Sequence, residues 1–70
     1  MNLDKFEQYT ETENYIVYLE KNPLFFNVRE IIIYYKKHNR YMRTLLNEQL
    51  FNLFFKPEDY IRVMGKEKTR

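Results

Sequence analysis

Seventy residues make one small domain, and a chain of this length buries only about 60% of the surface its unfolded form exposes. With no cysteine and a single histidine, disulfides and thiolate metal sites are excluded and a zinc site has little to use. The staple left to so small a fold is self-association or docking on a partner. Net charge is +2 but unevenly placed: residues 1–22 hold five acids and two bases, residues 36–70 nine bases and four acids. That asymmetry points to an acidic partner for the second half, or to packing between the halves.

Aromatic residues make up 19% of the chain, seven Tyr and six Phe, more than so small a core needs. Some are therefore expected at an exposed interaction patch. The longest wholly apolar run, residues 31–35, is too short to span a membrane. No basic-then-apolar leader opens the chain, so it reads as soluble and cytoplasmic.

Taken in chain order, Leu3, Phe6 and Tyr9 recur at helical intervals. Thr10 with Glu13 three residues on resembles a capping box for a second short helix over residues 15–19. The competing reading there is a strand, because YIVYLE is rich in β-formers. Asn22-Pro23 ends whichever element it is. Asn27 as N-cap with Glu30 at N3 then predicts one long amphipathic helix over about residues 28–54. On it Ile31, Tyr35, His38, Met42, Leu45, Leu46 and Leu53 share a face opposite Lys36, Lys37, Arg40 and Arg43. Asn39, a weak helix former, marks a break near 38–40. Unbroken, the helix would run about 39 Å, which favours a dimer. Pro57, followed by Glu58 and Asp59, opens a last helix over 57–64, with Gly65 as its stop and residues 66–70 as a frayed tail. The lack of Asn-Gly turns argues against an all-β fold. The expected fold is mainly α: a small helical domain.

No reaction is legible. The chain has no Ser or Cys nucleophile, its carboxylate pairs Glu11/Glu13 and Glu58/Asp59 read as helix-start acids, and one glycine cannot build a phosphate loop. A non-enzymatic protein without cofactor is expected. His38 reads as a core or interface histidine. Two clusters remain. In YYKKHNRYMR, Lys36, Lys37, Arg40 and Arg43 interleave with tyrosines, a pattern that can track phosphates and stack bases, or serve an acidic partner. In QLFNLFF, Leu50 and Leu53 continue the core stripe while Phe51, Phe54 and Phe55 turn to the polar side. Those rings await a cover: the first 26 residues with Phe6, Phe25 and Phe26, a second copy, or another protein. Leaving three such rings exposed is unfavourable, since burying one is worth roughly 1.5–3 kcal/mol.

Gln49, Leu50, Leu53 and Phe54 resemble the short Gln-Leu-x-Leu-Phe peptide of bacterial sliding-clamp ligands, with one extra residue between the pairs and Asn52 at an otherwise apolar place. In general character the chain resembles the small host-takeover and inhibitor proteins of phages that infect low-GC Gram-positive bacteria. That resemblance implies a modulator that occludes a host protein, replication machinery first, with Gln49, Leu50, Phe51, Leu53, Phe54 and Phe55 as its contact residues. The alternative is a small basic nucleic-acid-binding regulator using Lys36, Lys37, Arg40 and Arg43.

Overall fold

The computed structural model of the chain describes residues 3–23 and 28–65. Four strands form one antiparallel sheet in sequence order: β1 (Phe6–Glu11), β2 (Tyr15–Glu20), β3 (Glu30–Tyr35) and β4 (Arg40–Leu45). Two short helices follow, α1 (Glu48–Phe54) and α2 (Tyr60–Met64), joined through a 3-10 turn at Pro57–Asp59. They pack on one face of the sheet.

The expected mainly helical fold is therefore corrected to a sheet with a thin helical layer. No helix spans 28–54; β3, a turn, β4 and α1 occupy it. The apolar spacing in this segment matched a helix only because every second and every third or fourth position were filled alike. The local chemistry decides otherwise. Ile31, Ile32 and Ile33 form a β-branched run followed by two tyrosines, residues that suit a pleated, buried surface. All three isoleucines are fully buried, on both faces of the sheet, as a continuous apolar strand requires. What reads as a helix break near 38–40 is the β3–β4 turn. Asn39 takes the left-handed conformation there (φ 51°), a role that asparagine fills nearly as well as glycine, so no Asn-Gly pair is needed. The Tyr34 hydroxyl donates to Asn39 Oδ1 and fixes the turn.

The N-terminal helices are likewise replaced by strands. Thr12, not Thr10, organises the β1–β2 turn: its Oγ1 accepts from the Asn14 and Tyr15 amides at 3.2 and 3.1 Å. The strand alternative for YIVYLE is the one the structure adopts. The proposed N-cap Asn27, the rings Phe25 and Phe26 and the tail 66–70 lie outside the described residues. The last helix falls where expected: Pro57 opens the 3-10 turn, and Gly65 (φ 75°) closes α2 with its amide on the Ile61 carbonyl at 2.8 Å.

The core lies between the helices and one sheet face. Val17, Leu19, Ile31 and Ile33 meet Phe51, Phe55, Tyr60, Val63 and Met64. Phe51 stacks on Phe55 at 5.5 Å and receives Tyr60 edge-on at 4.9 Å. Phe54, half-buried, sets its ring edge against Tyr15 at 5.2 Å. The cover for these three rings is the chain's own sheet. Asn47 caps α1, accepting the Leu50 amide at 2.8 Å. Arg29 ties α2 to the sheet: Nε donates to the Glu20 carbonyl at 2.8 Å and an η nitrogen to the Val63 carbonyl at 2.9 Å.

With Phe51 2% exposed and Leu53 64% exposed on the same short helix, their truncations separate sharply. Phe51→Ala is expected to cost about 3–5 kcal/mol in urea unfolding, and Leu53→Ala to stay within about 0.5 kcal/mol. Equal effects would contradict this packing.

Candidate protein-binding surface

The helices leave one sheet face uncovered, and strand alternation dictates what it shows. From β2 come Ile16, Tyr18 and Glu20; from β3, Glu30, Ile32 and Tyr34; from β4, Tyr41, Arg43 and Leu45. Phe6 joins them from β1 opposite Glu20. Ile32 is fully buried at the centre of this face. The Arg43 guanidinium lies 5.6 Å from the Phe6 ring, although β1 and β4 are the two outermost strands. At a strand spacing of about 4.8 Å, the two side chains must reach toward each other across β2 and β3. Ile32, directly opposite Arg43 in the register, lies on the same face. Around this closed centre the face stays open: Tyr34 and Tyr41 pack at 6.3 Å, and Tyr41 and Leu45 are 52% and 54% exposed.

Two ion pairs join charges around this face. Arg43 grips Glu30 with two nitrogens at 2.6 and 3.1 Å, and Lys36 meets Glu11 at 2.6 Å. The four cations singled out in the sequence do not line one side. Lys36 and Lys37 sit at the β3–β4 turn, Arg40 opposite Tyr35 on the helix-bearing face, and Arg43 on the other. Lys37 and Arg40 are exposed and have no ion pair among the described residues; His38, expected on an apolar face, is exposed beside them. A shallow depression there is lined by Tyr35, His38 and Arg40.

The QLFNLFF residues divide differently from expectation. Phe51 and Phe55 are core, Leu50 and Phe54 pack against it, and Gln49 and Leu53 are exposed. Met42 and Leu45, expected on the core-facing side of a helix, are exposed on opposite faces of β4, and Tyr41 is exposed on the same face as Leu45. Their signal was the alternation in RYMRTL, visible only once that stretch is taken as a strand.

The two edges of the sheet are unlike. β1 carries a bulge between Gln8 and Thr10, which swings Tyr9 out of register. Tyr9 packs on Phe55 at 4.6 Å, donates its hydroxyl to Asp59, and lies under Arg62 at 5.6 Å. Its neighbours Glu7 and Glu11 are exposed acids, so this edge is irregular and charged. β4 has no bulge against β3.

These contacts set the direction of several pKa values. The hydrogen bond from Lys36 lowers Glu11, that from Arg43 lowers Glu30, and that from the Tyr9 phenol lowers Asp59. Burial, helped by Asp59, raises Tyr9; the hydrogen bond to Glu48 at 2.5 Å raises Tyr60. Among the described residues no group of three or more His, Cys, Asp or Glu could hold a metal ion, and no helix is long and apolar enough to cross a membrane. Comparison with family models, with characterised proteins and with solved structures returned no match.

The carboxylates lowered on folding contribute stability above about pH 4.3 that is lost as pH falls through their folded values; the raised phenols contribute stability below about pH 10 that is lost above it. The urea midpoint is therefore expected to be level between about pH 5 and 9 and to fall on both sides. Replacing Glu11, Glu30 and Asp59 together by their amides should flatten the acid limb. An acid limb unchanged in that variant would show that these contacts do not govern it.

Proposed function

We propose that the chain is a non-enzymatic protein-binding modulator that covers part of a partner protein with its helix-free sheet face. The observation that carries this is the ring of exposed Tyr41, Leu45 and the half-buried Ile16, Tyr18 and Tyr34 around a pre-packed centre. Tyrosines held on a rigid sheet offer large contact area at low entropic cost, and such residues anchor protein interfaces. Because Arg43 and Lys36 are already neutralised by Glu30 and Glu11, the face does not present the run of unpaired cations that phosphate tracking needs. That favours a protein over a nucleic acid. Lys37 and Arg40 at the turn would meet an acidic rim and steer association.

A modulator that occludes a host protein in the cytoplasm, as the resemblance to phage takeover proteins implies, fits this surface without any catalytic group. The sliding-clamp route through Gln49, Leu50, Leu53 and Phe54 fits it less well. Those peptides bind extended, whereas here the segment is α1, and Phe51 and Phe54 on it pack against the sheet. The contact therefore moves from the phenylalanines to the tyrosines.

Affinity capture from a low-GC bacterial lysate, with nuclease treatment, tests the reading by comparing the wild type with Tyr41→Asp and with Lys37→Glu/Arg40→Glu. A dominant protein lost with Tyr41→Asp and weakened in the charge variant is the expected result. Capture that survives Tyr41→Asp, or recovery of nucleic acid alone, would overturn it. A DNA-binding protein would instead show affinity for labelled DNA falling steeply with salt.

A further inference from the structure

The hydrogen-bonding sense of β4 follows from one contact. The Leu46 amide donates to the Arg29 carbonyl at 2.7 Å, so that pair is a hydrogen-bonded one in the β3–β4 register. Antiparallel pairs alternate between bonded and non-bonded. Arg40, Met42 and Thr44 therefore direct their backbone groups to β3, and Tyr41, Arg43 and Leu45 direct theirs outward. β4 has no neighbour on that side in the four-stranded sheet. It is a regular edge with exposed apolar side chains on both faces: Tyr41 and Leu45 on one, Met42 (38% exposed) on the other. The exposure of Met42 on the helix-bearing face shows that the helical layer stops short of this edge. Natural sheets blunt such edges or pair them; here the β1 edge is broken by a bulge, whereas β4, though it carries Arg40 and Arg43, pairs with β3 without one.

We infer that β4 pairs antiparallel with β4 of a second copy, about a two-fold axis at Met42, giving a continuous eight-stranded sheet. Strand parity restricts the register, because facing residues must share a sheet face. Centring on Met42 sets the two methionines against each other on the helix side and Tyr41 opposite Arg43 of the other copy on the open side. Tyr41 and Arg43 are the residues whose backbone groups point outward, so each such pair exchanges both backbone bonds. It also sets no like charges directly opposite each other. Centring one residue later would set Arg43 against Arg43, like charges directly opposed. Pairing β4 with β1 of another copy would be head-to-tail and would meet the bulge. The same pairing supplies the staple that a chain of seventy residues with no cysteine otherwise lacks. It rests on the strand edge, independently of what the open face binds, and it joins the two open faces into one surface.

The chain's lack of cysteine makes the register directly testable. In the inferred dimer the two Met42 positions form a non-bonded pair with Cα atoms about 4.5 Å apart, inside the roughly 4.4–6.8 Å range of disulfides. Met42→Cys should oxidise to a covalent dimer much faster than Arg43→Cys or Tyr41→Cys. By sedimentation equilibrium the wild type should have twice the chain mass, and Met42→Asp should weaken association by about 100-fold, because it opposes two charges at the axis. The Met42→Asp monomer should keep the wild-type circular dichroism and, at dilute concentration, its cooperative unfolding. A wild type that stays monomeric up to millimolar concentration would overturn the inference, including the case in which a different protein occupies this edge. Cross-linking of Arg43→Cys as fast as Met42→Cys would overturn the register. A wild-type dimer that captures no partner, or capture that survives Tyr41→Asp, would instead count against the open-face reading alone.

Discussion

Burial of the isoleucine run of β3 is the constraint on which the rest of the structure depends. Ile31 and Ile33, with Val17 and Leu19 of β2, supply the sheet's side of the main core, and Ile32 points to the opposite face yet is equally buried. Each such side chain is worth roughly 1.5–3 kcal/mol when removed from water. To bury all three, β3 must be paired on both sides and covered on both faces. The two sides are supplied by β2 and β4. One face is covered by α1 and α2, and on the other the side chains of Phe6 and Arg43, from the two edge strands, meet each other. The ion pair of Arg43 with Glu30 holds one half of that contact in place.

From that arrangement the functional asymmetry follows. A helical layer built from two short elements can cover only the middle of one face, so β4 keeps its edge and Met42 exposed. Among the described residues Ile32 is the fully buried residue of the opposite face, while Tyr18 and Tyr34 there are half-buried and Tyr41 is exposed. The β1 edge is closed off because the bulge at Tyr9 turns that ring into the core beside Phe55, where its hydroxyl also anchors the 3-10 turn through Asp59. The chain thus spends its irregularities on one edge and leaves the other regular. Among the described residues Phe6, Phe51 and Phe55 are buried, while every tyrosine but Tyr60 stays at least partly exposed, where a polar tip can stay wet.

Part of this was legible in the sequence. The helix begun by Pro57 and ended by Gly65 was readable because both residues act through local backbone geometry alone. The surplus of aromatic residues led to Phe51, Phe54 and Phe55 as exposed rings, whereas the exposed aromatic among the described residues is Tyr41. The long helix over 28–54 was not there because periodicity over a densely apolar segment fits both a helix and a strand; the β-branching of residues 31–33 was the better guide. Asn39 was legible as an interruption, but its left-handed turn becomes visible only when the flanking residues are strands. Phe51, Phe54 and Phe55 seemed to depart from a core stripe because the stripe was drawn on a helix that does not exist. On the seven-residue helix that does exist, Phe51 faces the sheet, Phe55 follows at its C-cap, and Phe54 lies beside them. The four cations were expected to stack by helical spacing, and strand alternation scatters them across a turn and two faces instead.

Residue-resolved native-state hydrogen exchange, at concentrations below any self-association, tests the central arrangement most directly. A β3 paired on both sides predicts that the amides of residues 31–33 exchange slowest. A bare β4 edge predicts alternation along that strand, with Met42 and Thr44 protected and Tyr41, Arg43 and Leu45 exchanging fast. Uniform protection through residues 41–45, or weak protection at 31–33, would contradict both the sheet and the open edge drawn from it.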